Sequence, residues 1–194
     1  MKILLLALAI FSMTALPSMA AFDTYIRFAQ SGTSWLDGDS KNEQYNGGEG
    51  WSALQSFSFG IENTVNIGSV TGGGGAGKAT FKTVNLYKKT DSLSAELFSA
   101  CALGRHFERV EIVVVRSGET TTGTSRVLRA DLRFVMVQDV NLSASDGDEV
   151  VSEGVILQHG AHEISFYGQG KAGEELTPKT STWSRVSNTP TLDL

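Results

Sequence analysis

Few side chains in this sequence could do chemistry, and their spacing decides what each could do. His159 and His162 make an H-x-x-H pair. Metal-binding pairs share a face at a spacing of two on a strand, and of three or four on a helix. Here a spacing of three falls in a β-type region with Gly160 inside it. That predicts a turn or an irregular strand, and no cysteine or third histidine stands near to complete a metal shell. Gly72 to Lys78 has the G-x-x-x-x-G-K spacing of a phosphate-binding loop. Such a loop needs a Ser or Thr hydroxyl next, for magnesium, and a helix whose amides meet phosphate. Ala79 occupies the hydroxyl position, and the stretch from Thr80 reads as a strand. Asp146, Asp148 and Glu149 have acidic spacing without the twelve-residue loop and closing glutamate of a calcium site. They read as a solvated acidic turn. Cys101 is the only cysteine. It sits in an apolar helical pattern and reads as a small buried hydrophobe. His106 has no triad context and reads as a capping or packing residue at a helix end. No nucleophile, base and oxyanion set assembles. The reading is therefore no enzyme, no cofactor, and no catalytic or metal residue.

The elements that hold these residues are mostly strands. Ala21 to Ala29 alternates, with Phe22, Thr24, Ile26 and Phe28 on one face and Asp23, Tyr25 and Arg27 on the other. Gln30 to Gly50 is a polar loop with Trp35 and Tyr45 as anchors. Two strands come next, one carrying Leu54, Phe57 and Phe59, the other spanning Thr80 to Tyr87 with Phe81, Val84 and Leu86. A long Gly-rich loop joins them. Connections of more than about 12 residues inside a domain are uncommon and usually functional or disordered. This one is expected to be an arm that orders against a partner chain. Asp91 to Leu103 is the one helix, with Leu93, Leu97, Phe98 and Cys101 as its apolar face. Asp91 or Ser92 is the N-cap, and Gly104 takes the left-handed position past the end. Val110 to Val115 predicts a strand buried on both sides. Arg126 to Val137 is a long strand that Gln138 to Ala144 continues after a bend. Val155 to Gln158 and Glu163 to Gly168 complete the sheet as a last strand or hairpin. Lys171 to Leu194 reads as a loose polar tail.

Length and charge narrow the classes. At 194 residues a single β-rich domain is the natural unit. A net charge of -5 argues against a nucleic-acid binder that relies on phosphate contacts. Met1 to Ala20 has the order of a secretory signal: Lys2, the apolar run Ile3 to Phe11, Pro17, then Ser18-Met19-Ala20. The expectation is cleavage after Ala20, with no membrane anchor left behind, and a periplasmic or extracellular mature chain. If Met19 is the true start, the chain is cytoplasmic before secretion.

Several stretches together resemble one family. Ala21-Phe22-Asp23-Thr24-Tyr25-Ile26 looks like the opening of haemolysin-coregulated protein (Hcp), the inner-tube subunit of the bacterial type VI secretion system. Gly50-Trp51 with Leu54 to Gly60 resembles its second strand. Gly73 to Lys78 resembles its Gly-rich loop, and Ala95 to His106 its single helix with the ending A-C-x-x-G-K-H. The resemblance runs from Ala21 to about Gly168. It implies a compact two-sheet β-barrel with one flanking helix and a long extended loop, over residues 21–170. It implies a homohexameric ring, ring stacking through an arm at roughly Glu62 to Gly77, a lumen that holds effector proteins, and other type VI components as partners. The signal departs from the family, whose tube assembles in the cytoplasm. It leaves a second reading: an exported Hcp-like paralogue acting as a periplasmic or extracellular ring-forming binding protein. The tail from Lys171 is the other departure.

Overall fold

Val110 to Val115 lies at the centre of the sheet, buried on both faces. The computed structural model describes residues 22–66, 75–117, 126–171 and 173–194. Among these, eleven strands and one α-helix run in the order β1 (Phe22–Ser31), β2 (Ser34–Trp35), β3 (Ser52–Leu54), β4 (Ser56–Ser58), β5 (Ile61–Asn66), β6 (Gly75–Phe81), β7 (Val84–Lys89), α1 (Ser92–Leu103), β8 (His106–Arg116), β9 (Arg126–Ser143), β10 (Ser152–Phe166) and β11 (Lys179–Ser184). On β8, Val110 and Ile112 join the main core with Ile26 and Phe28, while Val113 and Val115 join a second cluster with Tyr25, Tyr45 and Trp51. Tyr45 stacks on Tyr25 with ring centroids 5.0 Å apart, so it is an anchor as its position predicts.

The fold is mainly β, antiparallel, with one helix. The nine-stranded sheet runs β2-β1-β8-β9-β10-β7-β4, and β3 pairs β1 while β11 pairs β10. It is not the closed barrel that the resemblance implies. One short segment bridges its two ends instead. Ser52–Leu54 pairs β1 and Ser56–Ser58 pairs β7, with only Gln55 between them. The sheet is thus curled without forming a continuous ladder around its axis.

The long strands change phase together at one line across the sheet. On β9, Ala130 and Leu132 face the core before this line, and Val135 and Val137 after it. On β8 the same change lies between Phe107 and Val110. On β10 it lies between Leu157 and Ile164. A strict two-residue alternation along β9 therefore fails at Phe134, which has φ 48°. A left-handed residue inside a strand rotates the residues after it and bends the ladder. Gly160 sits opposite, and a Cβ there would approach Leu194 Cδ2 to 2.9 Å and Phe134 Cβ to 3.2 Å. This is also why β10 is one strand rather than two pieces.

Four local expectations change. The Gly-rich arm is not structureless where it is described: β5 and β6 pair as a separate two-stranded ribbon. Residues 67–74, with Gly72 to Gly74, lie outside the described residues, as does the proposed signal. The tail is not loose. β11 pairs β10 from Ala161 to Phe166, because the edge of β10 that β7 leaves open beyond Leu157 still needs partners for its amides. Phe98 is 56% exposed, since the buried stripe of α1 is Leu93, Leu97 and Ala100. Cys101 flanks that stripe and is half-buried.

The helix is held at its start by a buried cation. Lys88 on β7 is fully buried, as is Glu153 on β10. Lys88 Nζ lies 2.6 Å from Asp91 Oδ1 and 2.9 Å from Glu153 Oε2, and donates to Lys89 O at 2.9 Å. Asp91 is the N-cap and accepts from Leu93 N, while Ser94 Oγ donates to Glu153 Oε2 at 2.7 Å. Removing one partner of such a buried set strands the others; removing the pair costs far less. Lys88→Met should destabilise the fold by about 3–5 kcal/mol, and Lys88→Met with Glu153→Leu should recover most of that loss. Urea unfolding of the two variants checks it, and equal losses would show that the cation does not neutralise Glu153.

Candidate functional site

Two features stand apart from ordinary core: the root of the β5–β6 arm, and a charged row on the opposite face of the sheet. The arm leaves the sheet after β4 and returns before β7. Its strands pair only with each other, from Ile61↔Phe81 to Asn66↔Gly75. Lys82 N donates to Gly60 O at 2.9 Å and closes the base. Glu62, Asn63, Thr64, Lys78 and Thr80 are exposed, and so is Ile61, at 60%.

The root rests on the two histidines. Phe59, just before the arm, lies 5.2 Å from the His159 ring and 5.4 Å from that of His162. Phe81, the last arm residue, lies 5.4 Å from His162. The phase change at Gly160 turns both imidazoles into one space, with His159 Nε2 and His162 Nδ1 3.2 Å apart. The spacing of three inside a strand thus marks an irregular strand, as expected. Burial pushes the His159 pKa down to about 3, with His162 and Arg185 adding to the effect. Burial, then Arg185, lowers that of His162 as well. Arg185 Nη1 donates to His159 O at 2.8 Å and ties the β11 end of the chain to the same point.

The second feature is a row in register across four strands: Arg27, Glu111, Asp131 and Glu163. Glu111 and Asp131 are buried. Arg27 Nε donates to Glu111 Oε2 at 2.6 Å, and Arg109 Nη2 to Glu111 Oε1 at 2.6 Å. Arg129 also pairs with Glu111. Arg109 Nε donates to Asp131 Oδ2 at 3.0 Å, and Arg133 Nε lies 3.0 Å from Asp131 Oδ1. Burial alone would raise the Glu111 pKa; the Arg129 hydrogen bond and the surrounding guanidinium charges outweigh it and hold the group below the usual carboxylate range. Arg27 also lies 3.8 Å over Trp35 and 4.3 Å over Trp51. The guanidinium groups of Arg27, Arg109 and Arg129 pair with Glu111, and those of Arg109, Arg129 and Arg133 with Asp131, which makes the row a brace for the sheet.

Of the other sequence candidates, Gly75 to Lys78 belongs to β6, which a turn and another strand follow, so no helix amides face it. Asp146, Asp148 and Glu149 are exposed, and Asp148 Oδ2 accepts from Ser145 N at 2.7 Å in a turn. His106 is exposed and packs on Phe134 at 4.5 Å. Among the described residues no three His, Cys, Asp or Glu side chains gather as a metal site. The buried charges Lys88, Glu111 and Asp131 have a weaker sequence signal: a charged residue on an apolar face or inside an apolar run.

A family model described as "Type VI secretion system effector, Hcp" matches residues 25–166. Among solved structures, one titled "Structure of a type six secretion system protein" aligns with TM-score 0.74 and 24% identity over 87% of this chain and 99% of that one. Hcp1 from Salmonella typhimurium aligns with TM-score 0.62 and 19% identity over 88% and 99%. Secreted protein Hcp3 from Pseudomonas aeruginosa aligns with TM-score 0.55 and 18% identity over 84% and 98%. At these identities the structural likeness shows the fold. No curated protein matches.

The histidine pair gives the arm root a pH dependence. A histidine kept neutral in the fold contributes its full stability above its unfolded pKa of 6.5 and loses it as pH falls toward about 3, because the unfolded chain takes up the proton first. From pH 7.5 to 5 the His159 contribution should fall by roughly 2 kcal/mol. Urea unfolding at the two pH values should show this drop in the parent and a smaller one in His159→Phe. An equal drop in both would mean that His159 is not the group that charges.

Proposed function

The chain belongs to the Hcp family of type VI secretion system proteins, and on that premise we propose that it is a structural, non-enzymatic subunit whose copies close into a hexameric ring. Rings stack into a tube, and the lumen holds effector proteins. The observation that carries this reading is the arm. A two-stranded ribbon with exposed residues cannot bury an apolar face by itself, and isolated hairpins are marginal in water. Its root, by contrast, is fixed by Phe59 and Phe81 against the buried histidines. A rigid root and an unpartnered ribbon suit a segment that pairs with the next ring. A head-to-tail interface closes into a ring when its rotation permits, and a braced sheet face keeps that rotation fixed.

We propose further that Met1 to Ala20 is an export signal cleaved after Ala20; the ring it delivers is then a repurposed one that assembles outside the cytoplasm, not part of the cytoplasmic tube. No helix among the described residues is long and apolar enough to cross a membrane.

Light scattering and negative-stain microscopy of the chain from Ala21 onward should give rings, and a monomer at high concentration would overturn the proposal. Deleting residues 70–77 should leave the unfolding midpoint within about 1 kcal/mol of the parent and shorten or abolish stacks. Loss of the fold instead would refute the arm reading. Intact mass should show a chain starting at Ala21 in periplasmic or culture fractions, with or without a working type VI apparatus. A cytoplasmic chain starting at Met19, released only with the apparatus, would overturn the export step and leave an ordinary tube subunit.

A further inference from the structure

The curled sheet leaves an opening beside the arm root. A cavity of about 690 Å³ lies where β4, the arm root, β9, β10 and β11 meet. Phe57, Phe59, Phe81, Ile164, Phe166 and Trp183 are among its lining residues. The volume falls within the 300–1,000 Å³ typical of small-molecule pockets. Among the described residues no Lys, Arg, Asp or Glu lines it.

Of the Ser, Thr and His side chains lining this space, Ser58 and Ser181 are exposed, Thr182 is half-buried, and His162 is the buried one. His162 lines the cavity and is 6% exposed. Its Nδ1 is engaged with His159 Nε2 at 3.2 Å, and its Nε2 has no hydrogen-bond partner among the described residues. The tautomers follow from the neighbour. His159 Nδ1 is buried with no partner, and a buried bare lone pair is cheaper to leave than a buried N–H. The His159 proton therefore sits on Nε2 and is donated to His162 Nδ1. A neutral His162 then carries its own proton on Nε2, where it is a free donor.

We propose that this cavity binds an uncharged, largely apolar small molecule whose carbonyl-type oxygen accepts from His162 Nε2–H. A charged head would lose its hydration with no counter-charge on the wall. The aromatic walls take the hydrocarbon part. Every lining residue described belongs to this one chain.

Three eight-carbon probes of equal chain length separate the chemistry: 2-octanone, octanoate and octylammonium, titrated at pH 7.5 and followed by histidine ring NMR signals and by tryptophan fluorescence. 2-Octanone should bind saturably and shift the His162 ring signals, with the two ions at least about tenfold weaker. His162→Phe keeps a similar volume without the donor and should weaken 2-octanone roughly fivefold. Ala79→Trp, at the arm root and outside the main sheet, should fill the space and abolish binding. Octanoate binding as well as 2-octanone, no saturable binding of any probe, or unchanged binding in Ala79→Trp would each overturn the proposal. If His162→Phe does not fold, the Ala79→Trp comparison and the three probes still decide it.

Discussion

A lysine ammonium removed from water is the constraint around which this fold is arranged. Lys88 occupies a core-facing position on β7, where an apolar residue would be cheaper, and two carboxylates, the Ser94 hydroxyl and a backbone carbonyl make it tolerable. Each contact fixes a different element. Glu153 belongs to β10, so the pair sets the lateral position of two adjacent strands. Asp91 is the N-cap, so the same cation sets where α1 starts and how its buried stripe meets the sheet. β7 also carries β4, whose neighbour β3 lies on β1 at the other end of the sheet. The curl of the sheet is thereby linked to the strand that the buried charge holds.

The second organising device is the common phase change on β8, β9 and β10. A sheet of strands this long with one face buried throughout would be a flat or gently twisted slab. The left-handed Phe134 and the sterically restricted Gly160 bend it at one line. The bend has a functional consequence, because it brings His159 and His162, which simple alternation would put on opposite faces, to within 3.2 Å of one another. The arm root is then packed on a surface that exists only because of the bend.

What the sequence revealed depended on how local the cause was. The helix was legible almost to the residue, since Asp91, the Leu93–Leu97 spacing and Gly104 act within a few residues of themselves. The strands flanking the arm were legible only in part: Thr80 to Tyr87 is divided between β6 and β7 at Lys82 and Thr83, and the stretch carrying Leu54 and Phe57 is divided between β3 and β4 at Gln55. Phe98 was misplaced because a short apolar stripe does not say how wide the covered face is. The barrel closure and the loose tail failed for a different reason. Which edge of β10 is covered depends on where β7, a strand far earlier in the chain, departs from it, and no local period carries that. Glu111, which interrupts the apolar run of β8, and Asp131 on β9 were the visible signs of the charged row. The arginines around that row, Arg27, Arg109, Arg129 and Arg133, come from β1, β8 and β9 and acquire meaning only once the register is known.

Register also explains why the arm and the sheet have opposite physical characters. Across the braced face, Glu111 and Asp131 are each held by several guanidinium groups, so sliding one strand would break many charge-assisted bonds at once. Nothing comparable ties β5 and β6 to the main sheet among the described residues; they are joined to it through two aromatic rings and one backbone hydrogen bond at the base. Strain on the arm is therefore borne at Phe59 and Phe81, directly against the neutral histidines and the cavity. A neighbouring subunit that grips the ribbon, a proton that charges His159 and a molecule that enters the cavity would all act on the same few side chains. On the proposed readings, assembly, pH and small-molecule binding would meet at the arm root.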